Sequence, residues 1–297
     1  MWVLLGIISA FFLGIYDVLK KVSLNGNAVL PVLFLSCLSG AAVFLPFFLI
    51  SYLCPTFGDS FFYVPRVDGM THILIIIKSC IVLSSWIFAY YSFKHLPVTI
   101  ASPIRTSAPV WTLAGAFLIF GERLTIFQWT GVIICIIFYY LFSLAGRKEG
   151  IRFSENRWIL FITIATILGS VSSLYDKYLI SHYDRMAVQT FYSFYMVLIL
   201  IPVLMVFWYP SRKKHDSFKW RITIPLIGIV LSVADFMYFY SLSFQGSMIS
   251  VLSTLRRSSV IVSFIIGAAV FHENNLRMKF FILLGILCGI IIIIAGS

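Results

Sequence analysis

Ile104-Arg105-Thr106-Ser107 and Leu255-Arg256-Arg257-Ser258 are two copies of one polar pattern in apolar surroundings. In each copy a glutamate, Glu122 or Glu273, follows the first arginine by 17 residues. The residues between arginine and glutamate are nearly as many as the roughly 20 apolar residues that cross a bilayer. The repetition predicts a duplicated membrane protein. An arginine held within an apolar segment of each copy indicates an anionic ligand.

The composition supports a membrane protein with many spans. The chain has 297 residues, of which 61% are hydrophobic and 11% are charged. Soluble domains are closer to half apolar and a quarter charged, so one water-facing core cannot absorb this much apolar surface. The net charge of +11 lies mostly in short runs between apolar segments, where it acts as an orientation signal. We therefore predict that this chain lies in a lipid bilayer and does not bind nucleic acid.

The length of the apolar segments predicts an all-α polytopic membrane protein with ten transmembrane helices. The predicted spans lie near residues 2–20, 29–53, 71–93, 98–120, 125–145, 157–179, 188–209, 222–243, 248–271 and 277–296.

A polar linker in the middle of the chain divides these segments into two groups of five. Residues 148–157 form the linker, residues 1–147 the first five-helix repeat and residues 158–297 the second. An odd number of helices in each repeat makes the second copy enter the membrane from the opposite side. The sequence therefore predicts an inverted 5+5 repeat, an architecture of many secondary transporters.

Shorter motifs match between the two groups. Tyr16-Asp17, in the first span, has its counterpart in Tyr175-Asp176, in the sixth. Tyr90-Tyr91-Ser92, in the third span, matches Phe239-Tyr240-Ser241, in the eighth. These matches support the duplication over more than the arginine segments.

The distribution of basic residues predicts the orientation. Of the 22 Lys and Arg residues, five lie within spans, 14 in odd-numbered connections and three in even-numbered ones (Arg66, Arg123 and Arg185). The positive-inside rule then places the odd connections in the cytoplasm and both termini outside. We predict an integral, multi-pass protein of the cell (inner) membrane.

Arg105, Arg256 and Arg257 are the first candidates for a substrate site. A cation at the centre of a membrane helix costs roughly 2.5–3.5 kcal/mol on insertion scales, so these side chains should face the bundle interior. Two guanidinium groups that approach one cavity from the two halves would suit a carboxylate or a phosphate. The structural alternative is ion pairing with acidic residues of the spans (Asp17, Asp176 and Asp235). Lys78 is a further candidate, although its long side chain could instead extend to the membrane surface.

The same three aspartates are candidates for proton coupling, because a buried carboxyl group can exchange a proton near neutral pH. For Asp17 the alternative is an ion pair with Lys20 or Lys21. Glu122 and Glu273 lie at the ends of spans, beside short turns, and we interpret them as helix-end residues.

Aromatic residues occupy matching places in the third and eighth spans. We expect the side chains of Trp86, Tyr90, Tyr91, Tyr238 and Tyr240 to contact the organic body of a substrate. The alternative is an interfacial aromatic belt. Cysteine and histidine form no metal-ligand cluster, and no hydrolase or nucleotide-binding motif is present, so we predict neither a cofactor, a metal nor an enzyme.

Phe120-Gly121-Glu122-Arg123-Leu124, followed by Gln128-Trp129-Thr130-Gly131, resembles the drug/metabolite transporter superfamily and its EamA-like family in particular. The resemblance implies a secondary carrier with alternating access around a central cavity that the third, fourth, eighth and ninth helices line. The resemblance also implies cytoplasmic termini, in conflict with the count of basic residues. The sequence itself allows a monomer or a homodimer. The segment from Leu255 to Ser263 is similar to the ninth helix of the sugar-phosphate translocators, in which adjacent basic residues hold the phosphate.

The sequence thus predicts a secondary active transporter of a small organic metabolite, such as an amino acid or organic acid with an anionic group. Arg105 and Arg256 would hold that group, export would be the direction, and a proton or counter-substrate would drive it. The alternatives are a phosphorylated-metabolite exchanger, a membrane-embedded enzyme and a non-transporting scaffold.

Overall fold

A computed structural model describes residues 1–95, 104–105, 107–144, 157–210, 212, 217–259, 261–263, 265–266 and 276–296. Within these ranges the ordered elements are all helices, in agreement with the predicted all-α class. Ten α-helices follow one another along the chain: α1 Trp2–Leu24, α2 Val29–Leu53, α3 Gly69–His95, α4 Ala108–Phe120, α5 Ile126–Leu144, α6 Arg157–His182, α7 Arg185–Val203, α8 Thr223–Leu242, α9 Ile249–Arg257 and α10 Leu276–Ala295.

Six of these helices are long and apolar enough to cross a membrane: α1, α2, α3, α6, α7 with the π-helical turn Leu204–Trp208 that continues it, and α8. Shorter apolar stretches occur in α4, α5 and α10 (Ala108–Phe120, Ile126–Phe138 and Leu284–Ala295). The described residues thus contain ten α-helices, of which six reach full span length, and the ten predicted spans stay a prediction.

Side chains near the helix starts satisfy some of the backbone N–H groups that the first turn leaves free. Asp184 accepts hydrogen bonds from the backbone N–H groups of Met186 (2.8 Å) and Ala187 (3.0 Å) at the start of α7. Before α3, Asp68 accepts from both the hydroxyl and the backbone N–H of Thr71. These hydrogen bonds lower the pKa of Asp68, which lies outside the spans.

The helices pack in a pattern in which the largest contacts are paired. The contact of α1 with α8 corresponds to that of α6 with α3, and the contact of α2 with α8 to that of α7 with α3. Likewise, α1 meets α9 as α6 meets α4. The remaining large contacts join helices five positions apart in order: α2 with α7, α4 with α9, and α5 with α10.

Glycine allows the backbones to touch at two of these crossings. A Cβ added to Gly228 of α8 would lie 1.9 Å from the carbonyl oxygen of Ser36 in α2. Where α5 crosses α10, a Cβ on Gly131 would lie 2.6 Å from the carbonyl oxygen of Gly289. Small residues at such crossings are typical of membrane helices, whose association depends on close van der Waals packing.

Candidate functional site

A buried ion pair joins α3 to α6 within the bundle. The ammonium group of Lys78 donates a hydrogen bond to Oδ1 of Asp176. The same ammonium group lies 4.2 Å from the centre of the Tyr192 ring and 4.7 Å from that of Phe239. Such cation–π contacts partly replace the water that the charge has lost.

A second ion pair joins α8 to α9. Nη2 of Arg256 donates to Oδ1 of Asp235 over 2.7 Å, and the guanidinium carbon lies 4.0 Å from the centre of the Tyr238 ring. The Tyr238 hydroxyl is buried and has no hydrogen-bond partner of normal geometry among the described residues. Ser173 is a polar neighbour of this hydroxyl. Arg256 is therefore held by a carboxylate on one side and an aromatic face on the other.

The two ion pairs belong to one electrostatic network. Asp176 interacts with Arg256 and Asp235 as well as with its own partner, Lys78. Two positive and two negative charges thus lie together and balance one another. Balanced charges limit the cost of removing ionised groups from water, whereas one unpaired charge at this depth would be expensive.

A second polar cluster lies on α1 and α3. The hydroxyl groups of Tyr16 and Tyr90 share a hydrogen bond of 3.3 Å, and Lys20 donates to Asp17 over 2.7 Å. The Lys20 ammonium lies 4.4 Å from the centre of the Tyr16 ring. Arg105 acts electrostatically on Tyr16, Lys20 and Tyr90. Arg257 acts on Lys20 as well.

A cavity with about 470 Å³ of space lies among α1, α2, α3, α7 and α8, beside both clusters. Three aromatic side chains line it: Tyr16 from α1, Trp86 from α3 and Tyr192 from α7. Tyr16 also belongs to the second polar cluster, and the Tyr192 ring also covers Lys78, so the cavity borders both groups of charges.

Polar groups complete the wall of the cavity. Ser36, Gln189 and Ser232 contribute amide or hydroxyl groups, and Nε2 of Gln189 donates to the carbonyl oxygen of Ser232 over 3.0 Å. Among the described residues that line the cavity, Asp235 is the only charged one. The acidic member of the Arg256–Asp235 pair therefore lies on the wall, and the basic member lies behind it.

The structure brings together several residues that the sequence singled out. Lys78, Asp176, Asp235 and Arg256 share the charged network, with Tyr238 beneath Arg256. For Arg256, the internal ion pair that we named as the structural alternative is present.

The remaining predicted residues lie elsewhere. Trp86 lines the cavity, and Asp17, Tyr90 and Arg105 belong to the second cluster. Tyr240 lies outside the described cavity lining, its ring 4.2 Å from the guanidinium carbon of Arg185, and Tyr91 is half-buried on α3 outside that lining as well.

Glu122 has a role at a helix start. Its carboxylate accepts hydrogen bonds from the backbone N–H groups of Ile249 (2.7 Å) and Ser250 (3.2 Å) and from the Ser250 hydroxyl (2.5 Å). It therefore caps α9 from the turn between α4 and α5, as a helix-end residue. Glu273 lies outside the described residues.

Sequence reasoning missed three residues of the cavity. Tyr192 and Gln189 lie on α7, and neither is charged or part of a repeated motif. The only sequence signal for them is a polar group within an apolar span. Tyr16 belongs to the repeated Tyr-Asp motif, but only its neighbour Asp17 was predicted to be a functional residue.

Helices of span length that enclose charges, with apolar side chains facing outwards, define an integral, multi-pass membrane protein. Residues 1–144 match the EamA-like transporter family, which is part of the drug/metabolite transporter superfamily. The sequence-based resemblance to this family is confirmed. The local likeness to the sugar-phosphate translocators stays a prediction.

A solved structure described only as "Crystal structure of protein" shares this fold with a TM-score of 0.70. It is 15% identical in sequence, and the alignment covers 98% of this chain and 94% of that one. A likeness at this identity concerns the fold alone. A comparison with curated proteins found no match.

Proposed function

We propose that this protein is a secondary active transporter that carries a small organic metabolite through the cavity among α1, α2, α3, α7 and α8. The observation that carries the proposal is a cavity of about 470 Å³ beside a buried network of four charges, within a chain of a transporter family. Ionisable residues within membrane helices commonly mark substrate or ion pathways. A cavity lined by aromatic and polar side chains supplies the other part of such a pathway.

The ten helices form an inverted 5+5 repeat in this proposal. An inverted repeat has a pseudo-two-fold axis in the membrane plane, which exchanges each helix of the first group with one of the second. The paired contacts support such an exchange, since α1 with α8 corresponds to α6 with α3, and α2, α4 and α5 each meet their own equivalents. Alternating access would then arise from movement of one group against the other around the cavity.

The nature of the substrate and its driving force are further parts of the proposal. The anion hypothesis places a carboxylate or phosphate on Arg105 and Arg256, and the second of these must then be released from Asp235. Asp235 holds Arg256 and lies on the cavity wall, so this residue is the best supported of the three aspartates proposed for coupling. Export and a location in the inner membrane complete the proposal. A phosphorylated-metabolite exchanger would use the same two arginines.

Reconstitution into liposomes tests the function. The purified protein should exchange labelled substrate across the membrane for at least one of three classes: amino acids, organic acids and sugar phosphates. Ser193 lines the cavity, so Ser193→Phe should abolish the exchange by filling it. Ser84, an exposed residue of α3, provides the matched control: Ser84→Phe should transport as the natural protein does.

Two outcomes would count against this proposal. No exchange of any class by the folded protein, or equal exchange by the Ser193→Phe variant, contradicts transport through this cavity. If Arg105→Ala and Arg256→Ala leave every flux unchanged, the anion site is wrong, although transport itself stands.

A further inference from the structure

We propose that the substrate of this cavity carries a protonated amino group, and that this group binds Asp235 in place of Arg256. The inference rests on the proposed transport function and assigns it a class of substrate. It assigns the substrate the opposite charge to the anion hypothesis stated above, and the binding experiment below decides between the two.

The charge on the cavity wall is the first argument. Asp235 is the only charged residue among the described residues of the lining, and a carboxylate surrounded by neutral groups attracts a cation. Arg256 binds Oδ1 of Asp235, and no described residue binds Oδ2.

The positions of the cations are the second argument. Lys78 is 2% exposed, is bound to Asp176 and lies against two aromatic rings, so its charge is already satisfied away from the cavity. Arg256 stacks on Tyr238, which is also absent from the described lining. Within this network of four charges, the group that faces the cavity is therefore the Asp235 carboxylate, which repels an anion.

The aromatic side chains are the third argument. Tyr16, Trp86 and Tyr192 come from three helices and meet around the same space as Asp235. Aromatic faces attract organic cations and also accept an apolar body. A carboxylate combined with aromatic rings is the chemistry that recognises an organic amine.

Exchange of partners preserves the balance of charge. When an ammonium group takes Oδ1 of Asp235, Arg256 remains on the Tyr238 ring and within electrostatic range of Asp176. The released guanidinium therefore still has Asp176 as a negatively charged neighbour. A substrate that opens this contact changes the link between α8 and α9, which are parts of the second repeat.

Three small molecules with one shared body test the charge requirement. They are 2-phenylethylamine (a cation), 2-phenylethanol (neutral) and 3-phenylpropionate (an anion). Binding to the purified full chain is measured by calorimetric titration. We expect the amine to bind at least tenfold more tightly than either of the others. Tighter binding of the carboxylate, or no binding of the amine at millimolar concentration, overturns the inference.

Variants then test the residue. Asp235→Asn should weaken amine binding at least tenfold and, because Arg256 is released, should strengthen binding of the carboxylate. The double variant Asp235→Asn/Arg256→Gln removes both charges and so avoids misfolding caused by an unpaired arginine. It should also lose amine binding. Asp59 is an exposed residue of the connection between α2 and α3, so Asp59→Asn is the control and should bind as the natural protein does. Unchanged amine binding in both Asp235 variants overturns the inference.

Liposome exchange of the same molecules separates this inference from the proposed function. If the carboxylate exchanges and the amine does not, transport stands and the amine inference fails. If the amine binds through Asp235 but nothing crosses the membrane, the binding site stands and the transport function fails.

Discussion

Lys78 and Asp176, 98 positions apart in the sequence, form an ion pair inside the helix bundle with only 2% and 9% of their side chains exposed. The pair links α3 to α6. Because both charges have left water, the contact stabilises the fold only while both partners are present.

Removal of one partner of this pair should be strongly destabilising. Lys78→Met leaves the Asp176 carboxylate unpaired, and we expect a loss of about 3–5 kcal/mol in the free energy of unfolding. The double variant Lys78→Met/Asp176→Asn should recover much of that loss, because neither charge remains. Unfolding in mixed detergent micelles measures all three proteins.

The pair formed by Lys20 and Asp17 provides a matched control. Its side chains are 15% and 40% exposed, so Lys20→Met should cost about 1 kcal/mol or less. Arg105 and Arg257 act on Lys20 with like charge, which further reduces the cost of its removal. Equal losses for Lys78→Met and Lys20→Met would show that burial is not what makes the first pair important.

The close approach of α2 and α8 predicts a severe effect of one methyl group. Gly228→Ala places a Cβ 1.9 Å from a backbone oxygen of α2, which a side-chain rotation cannot relieve. We expect a loss of about 3 kcal/mol, at the upper end of what overpacking usually costs. Thermal unfolding of the purified protein is the measurement.

Gly169→Ala is the control for that substitution. Gly169 lies within α6, and its added Cβ would meet only Oγ of Ser85, at 3.5 Å. Since alanine favours a helix over glycine by about 1 kcal/mol, this variant should be as stable as the natural protein or more so. If both variants unfold alike, the crossing of α2 and α8 is not as tight as described.

Glu122 should stabilise α9 through its hydrogen bonds to Ile249 and Ser250. Glu122→Ala removes this cap, and we expect a loss of about 1–2 kcal/mol. Arg123→Ala, at the exposed neighbouring position, should change stability by no more than about 0.5 kcal/mol. Chemical unfolding compares the two variants, and a larger loss for Arg123→Ala would contradict the role of the cap.

The orientation predicted from basic residues can be tested through Cys54. This exposed cysteine follows α2, on the side that the count of Lys and Arg places outside. In a chain without the other cysteines, a membrane-impermeant maleimide should label it in intact cells. Ser217→Cys in a cysteine-free chain, on the opposite side, should react only after lysis. The reverse pattern would establish cytoplasmic termini, as the family resemblance implies.

Apolar length alone was sufficient to predict where helices occur. The second helix has the predicted bounds, Val29–Leu53, because its apolar run has clear polar or turn-forming ends. Helix order and family could likewise be predicted from the sequence. The rotation of each helix about its axis could not, since it depends on packing against neighbours that are distant in the chain.

That rotation decides the chemistry of the site. The sequence shows that Arg256 is costly within a membrane, but not that its guanidinium meets Asp235 of the preceding helix and the ring of Tyr238. The sequence therefore left open whether Arg256 pairs with a substrate anion or with an internal carboxylate, and the structure contains the internal pair. Tyr192 and Gln189 were not predicted for the same reason. A single polar group on a span is informative only when the surface that it faces is known.

The contact between Gly131 and Gly289 joins α5 to α10, the last helices of the two halves. Under the proposed inverted repeat each helix meets its own equivalent, so a single five-helix unit would already contain both sides of this interface. Two separate copies of such a unit, inserted in opposite directions, could associate through it before any gene fusion. The glycine crossing is therefore an interface through which the two chains of an ancestral dimer could have been held before they became one chain.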